Sequence, residues 1–239
     1  MGERVFTKAQ YGIESTSGTA VAATKIWPGT VTVPPDRTVQ FLRPLTGRRG
    51  GPIVSSVPQV LIDGLTMAMP EAIYLEALPV QLAMLLDGTV SYVSSPTSWT
   101  FTPGLTAAPT VKSLTLEWGD DTQAYEAEYV TAKSLKIRGR TGENGYCTSE
   151  LTCFAKQITK TTFTASLTSG TLTPLISNLA VLSIDTAWAG LGGTAKSGLL
   201  REWDIEINNG FHPKHLASGA LTFGAVGIGE LQGHIDRLE

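Results

Sequence analysis

The sequence predicts a mainly β protein, a β-sandwich or partial barrel with one flanking α-helix and long extended loops. Three observations predict it. Residues 113–138 alternate apolar and polar side chains at the period of a strand for almost their whole length. Turn formers punctuate the remainder, with 25 Gly and 13 Pro in 239 residues. Only the window near 76–87 places apolar residues at helical spacing.

The 113–138 stretch reads as a hairpin around which the chain is organised. Leu114, Leu116 and Trp118 fall on one face of its first strand, and Thr115 and Glu117 on the other. Gly119-Asp120-Asp121 forms the turn. On the return strand Tyr125, Ala127, Tyr129, Thr131, Lys133, Leu135 and Ile137 share one face; Glu126, Glu128, Val130, Ala132, Ser134, Lys136 and Arg138 share the other. Such a strand would run roughly 40 Å, well beyond the usual length. Its carboxylate-bearing face is expected to meet water, and its sheet to continue beyond one subunit.

A single domain over 1–239 is expected. Residues 1–29 read as an N-terminal arm of small residues. Residues 30–58 read as a long Pro/Gly loop, broken by Pro34, Pro35, Pro44, Pro52 and Pro58, with short strands possible in TVTV and VQFL. Arg37, Arg43, Arg48 and Arg49 lie in this loop, which is either a solvated excursion or a contact with a neighbouring subunit.

Residues 59–239 read as the β core. A strand is expected within 59–73. The helix near 76–87 carries Leu78, Leu82 and Leu85 on one stripe, with Pro79 confined to its first turn and Gly88 placed to end it. Residues 91–109 read as turns and 146–156 as a strand. Residues 157–177 read as an ordered loop with weak strands, and 179–188 and 199–208 as two further strands. In the last of these Glu202, Asp204 and Glu206 share a face, which should look onto water, a wet channel or a basic partner. Residues 230–239 read like the start of a strand, one that pairs elsewhere or continues in a longer product.

Composition excludes several classes. A net charge of −3 gives no basic footprint for gripping nucleic acid. Charged residues make up only 16% of the chain, against ~25% in an ordinary soluble domain, which suits a surface covered by neighbours. No apolar run is long enough for a bilayer-spanning helix, and the N-terminus lacks the apolar core of a signal peptide. A soluble product made in a cytoplasm, without membrane insertion, is the expectation. Cys147 and Cys153 on one strand would sit ~20 Å apart, so buried free thiols are expected.

No catalytic, cofactor or metal site is expected. His212-Pro213-Lys214-His215 lacks a third ligand nearby, and the glycine runs GRRGG and GLGG do not join a strand to a helix as phosphate loops do. Glu126 with Glu128, or Glu202 with Asp204 and Glu206, could serve as glycosidase carboxylates, but regular alternation on a sheet face favours a solvated surface.

The order of parts resembles the major tail tube protein of long-tailed bacteriophages. The resemblance rests on the arm IESTSGTAVAATKIWPG, the loop PPDRTVQFLRPLTGRRGGP, a helix ending in Leu-Leu-Asp-Gly, the TFTP turn and the hairpin SLTLEWGDDTQAYEAEYVTAKSLKIRG. It implies hexameric rings whose inner sheets join into one barrel and stack into a virion tail tube, assembled in the host cytoplasm. The implied partners are further copies of the chain, a tape measure protein, and tail terminator and distal tail proteins, with DNA in transit and not specifically bound. A conduit should repel phosphates, so Glu126, Glu128, Glu202, Asp204 and Glu206 are expected to face the lumen. Arg37, Arg43, Arg48 and Arg49 are expected at the inter-ring contact. The alternative is an Ig-like binding module of a virion or pilus surface, with Trp27, Trp99 and Trp188 as exposed aromatics.

Overall fold

The computed structural model describes residues 7–33, 39–42, 55–58, 62–86, 89–94, 97–102, 110–120, 122–142, 145–190, 192–196, 198–217, 222–230 and 232–238; the side chains of 39–42, 55–58, 89–94, 97–100, 102, 188 and 236–238 fall outside the description. In chain order these residues form β1 (Thr7–Ile13), β2 (Lys25–Trp27), β3 (Thr30–Thr32), β4 (Val39–Leu42), β5 (Ser55–Pro58) and β6 (Ile62–Met69). Helix α1 (Leu78–Leu85), β7 (Thr89–Ser94), β8 (Thr97–Thr102), β9 (Leu114–Asp120), β10 (Ala124–Arg140), β11 (Cys147–Ala155) and β12 (Gln157–Thr161) follow. The chain ends through β13 (Leu182–Ser183), β14 (Ala195–Lys196), β15 (Glu202–Asn208), β16 (His212–Lys214), β17 (Ala225–Gly227) and β18 (Gln232–Leu238). The protein is mainly β and antiparallel, with one α-helix among the described residues.

Ten strands make one sheet along the path β2-β1-β9-β10-β11-β6-β3, with β12 and β15 also on β10, and β18 on β15. Strand β10 is the spine. One of its edges takes β9 and then β15; the other takes β12 and then β11. Among the described residues the sheet is not closed by hydrogen bonds, although its two end strands β2 and β3 are separated only by Pro28 and Gly29.

The hairpin and the long strand are where the sequence places them, but the alternation breaks twice. The register of β10 shifts against β9 between Ala127 and Val130, and against β11 between Ala132 and Ser134. Each bulge adds one residue and reverses which side faces in. Between them Val130 and Ala132 turn into the core, not outward with Glu126 and Glu128; beyond the second, Leu135 is again inside. Tyr129 marks the first bulge with φ of 53°, an unusual value for a residue with a Cβ.

Strand β9 also departs from expectation, because Thr115 and Glu117 are as buried as Leu114 and Leu116. Their face is covered by chain from the segment read as an arm. Residues 7–13 of that segment are a sheet strand between β2 and β9. Beyond it, Val21 and Ala23 donate backbone N–H bonds to Thr115 and Glu117.

The larger of two apolar clusters joins Tyr11, Trp27, Met67, Leu116, Leu135 and Leu151 beneath α1; Phe154, Phe211 and Phe223 form the other. The helix lies close to its expected span, with Pro79 in the first turn. It turns Gln81, Met84 and Leu85 inward, while Leu78 and Leu82 are only partly buried. Gln81 Oε1 accepts from Ser149 Oγ on β11 at 3.1 Å, while its Nε2 is buried without a hydrogen-bond partner among the described residues. Gly88 lies outside the described residues.

Two other readings change. The 91–109 stretch, read as turns, begins with the hairpin β7–β8, since Thr, Val, Tyr, Trp and Phe suit a pleated surface. The 179–188 stretch, read as a strand, pairs only at β13 among the described residues; Leu179, Val181 and Ile184 are exposed, so it buries no apolar face. The final segment forms β18 on β15.

Candidate functional site

The half of β10 that pairs with β15 presents a charged face. Antiparallel register sets Lys136 opposite Glu206, Arg138 opposite Asp204 and Arg140 opposite Glu202. The contacts follow the register. Arg138 Nε lies 3.2 Å from Asp204 Oδ2, and Lys136 Nζ lies 3.2 Å from the same oxygen and 3.8 Å from Glu206 Oε2. On the other edge Lys136 is in register with Glu150 of β11. Near the second bulge, Lys133 Nζ sits 2.9 Å from Asp63 Oδ1 on β6. Asp204 and Glu206 therefore meet basic partners on the neighbouring strand, and Glu202 has Arg140 opposite it in register.

Glu126 and Glu128 lie on the other half of β10, beside Thr159 and Gln157 of β12. Between the two groups stand Tyr129 and its aromatic neighbours, with Phe223 5.1 Å from Tyr129 and 5.5 Å from Phe154 between ring centroids. The five expected lumen residues thus form two sets, not one. Burial, then the charges of Glu117 and Glu128, raise the Glu126 carboxyl above its ordinary value. A raised carboxyl binds its proton more tightly folded than unfolded, so the stability it contributes is lost as pH rises through the folded value. Glu126→Gln is expected to melt higher than the parent at pH 7 and to lose that advantage by about pH 4; thermal scans at both pH values check it. Arg37, Arg43, Arg48 and Arg49 lie outside the described residues.

Two buried glutamates escaped sequence reasoning. Glu14 accepts from Gly18 N at 2.6 Å, Ser113 Oγ at 2.5 Å, Thr115 Oγ1 at 3.0 Å and Tyr129 N at 3.0 Å. Glu117 accepts from Gln10 Nε2 at 2.6 Å and from Thr164 N and Oγ1 at 2.8 and 2.6 Å. Glu14 secures the Tyr129 bulge, and Glu117 ties residue 164 to the sheet. Glu14 stands among small hydroxyl residues in the sequence, whereas Glu117, between Leu116 and Trp118, carries no such signal.

A groove of about 620 Å³ opens where β1, β9 and β10 meet the β2–β3 corner; Trp118, Tyr125, Lys8, Asp120 and Gln123 line it. Trp118 and Tyr125 stack on each other there, 6.0 Å between centroids. Trp27 is buried at 3% exposure, so it is no exposed aromatic platform; the side chains of Trp99 and Trp188 lie outside the description. Cys147 and Cys153 are both buried and free. Among the described residues no group of three or more His, Cys, Asp or Glu could hold a metal ion, and no helix is long and apolar enough to cross a membrane. No protein-family model matches the chain, and no curated protein matches it significantly in sequence.

Proposed function

We propose that the chain is a structural, tube-forming subunit, the tail tube protein of a long-tailed bacteriophage. The observation that carries this reading is the open ten-stranded sheet built on β10. It has an apolar face under α1, a charged face on β10–β15, and end strands with no further partner among the described residues. Open edges of a large sheet invite strands from another copy, and a ring removes every edge. The near approach of β2 and β3 in sequence supports a partly rolled, barrel-like subunit. In this reading the charged face lines a bore through which DNA passes, and residues 30–58 reach the next ring.

Negative-stain microscopy of the purified chain tests the proposal. Rings or tubes are expected; dispersed monomers at high concentration would count against it. Deleting residues 37–52 is expected to leave monomers or single rings. Full-length tubes from that deletion would remove the inter-ring role of the loop.

A further inference from the structure

Strand β10 carries four cations between residues 133 and 140, on a protein read here as a passage for a polyanion. An exposed row of four would bind phosphate: each contact releases counterions from DNA, and that release drives non-specific binding. The structure sets a carboxylate against each of these cations, from β15 or, for Lys133, from β6 beyond β11. Lys133 has Asp63, Lys136 has Asp204 and Glu206, and Arg138 has Asp204. Arg140 has Glu202 opposite it in register.

We propose that Glu202, Asp204 and Glu206 act as built-in counterions, which hold the cations of β10 and so keep this face from binding nucleic acid. A phosphate that approached Lys136 or Arg138 would have to displace a carboxylate tethered to the adjacent strand. The displaced carboxylate would then stand beside the phosphate and repel it. Exclusion of DNA thus comes from pairing within the wall, not from a surplus of negative charge. The pairing is cross-strand and lies in a continuous sheet, where opposite charges are favoured over like ones. Asp204 is central, since its Oδ2 serves both Lys136 and Arg138. The inference rests on the tube reading for its biological meaning, but the pairing belongs to the single chain and is testable whatever the assembly.

The experiment measures binding of a fluorescently labelled double-stranded DNA fragment to the full chain by anisotropy, across a salt series. The parent chain is expected to show no salt-dependent binding. Asp204→Asn with Glu206→Gln removes the β15 carboxylates from Lys136 and Arg138, and is expected to gain at least about tenfold in affinity at low salt, with a log–log salt slope near −2. Adding Lys136→Gln and Arg138→Gln is expected to abolish the gain. Circular dichroism checks that each variant keeps its sheet. If Asp204→Asn does not fold, Glu202→Gln with Glu206→Gln leaves Asp204 in place and removes the carboxylate opposite Arg140; a smaller gain is expected, which Arg140→Gln abolishes. A folded variant that binds no better than the parent, or a gain that survives loss of Lys136 and Arg138, overturns the proposal. Absence of tubes by microscopy would strike the functional reading alone.

Discussion

Glu14→Ala is expected to lower the melting temperature of the chain by about 10 °C. Its carboxylate is 6% exposed and accepts from four donors, Gly18 N, Ser113 Oγ, Thr115 Oγ1 and Tyr129 N. A donor left dry and unpaired costs about 1–3 kcal/mol, and partial entry of water into the gap brings the sum to about 4 kcal/mol. In a chain of this size each kcal/mol moves the midpoint by about 2–4 °C. The Tyr129 donor matters most, because it sits in the bulge where φ is 53° and where β10 changes the face it buries. Glu14→Gln keeps the shape but points an NH₂ at some of the donors, and is expected to lose less. Differential scanning calorimetry measures both; a midpoint for Glu14→Ala within 2 °C of the parent would refute this account of the bulge.

Reversing Glu202 and Glu206 to lysine is expected to give this face a salt-dependent hold on DNA. The change removes the charge opposite Lys136 and Arg140 and adds two cations beside them. With about four uncompensated cations the log–log salt slope should approach −4, a loss of about a hundredfold in affinity between 50 and 200 mM salt. Both side chains belong to half-buried positions on the charged face and not to the core. The sheet should therefore tolerate them, at up to about 1 kcal/mol for each like-charge pair created. In the tube reading, particles carrying the double variant assemble tails but deliver DNA slowly or not at all. Normal delivery, with no DNA retained by the purified variant, would show that this face does not meet the genome.

Much of the architecture was legible before any coordinates. The β9–β10 hairpin, the helix near 76–87 and the strands of TVTV, VQFL and LREWDIEIN all lie where periodicity and turn residues place them. What escaped was decided by distant partners. Alternation along β10 predicts Val130 and Ala132 beside Glu126 and Glu128. The fold instead spends an extra residue at Tyr129, whose N–H is satisfied by Glu14, 115 positions away in the chain. Alternation along β9 likewise predicts Glu117 in water. The fold covers it with Ala23 and Thr164, so it is a fully engaged anchor. The hairpin β7–β8 was hidden by the serines, threonines and prolines of 91–109, which read as turns until a partner strand is supplied.

The sequence by itself determined that this is an antiparallel β protein organised on one long strand, with cations at alternate positions of β10 and carboxylates at alternate positions of β15. Both follow from a period of two, which is local. Only the tertiary structure decided that the two rows face each other, because register between strands depends on which of them become neighbours; Arg138 and Asp204 are 66 residues apart. That choice makes a face that looks acidic on one strand and basic on another into one that is internally neutralised.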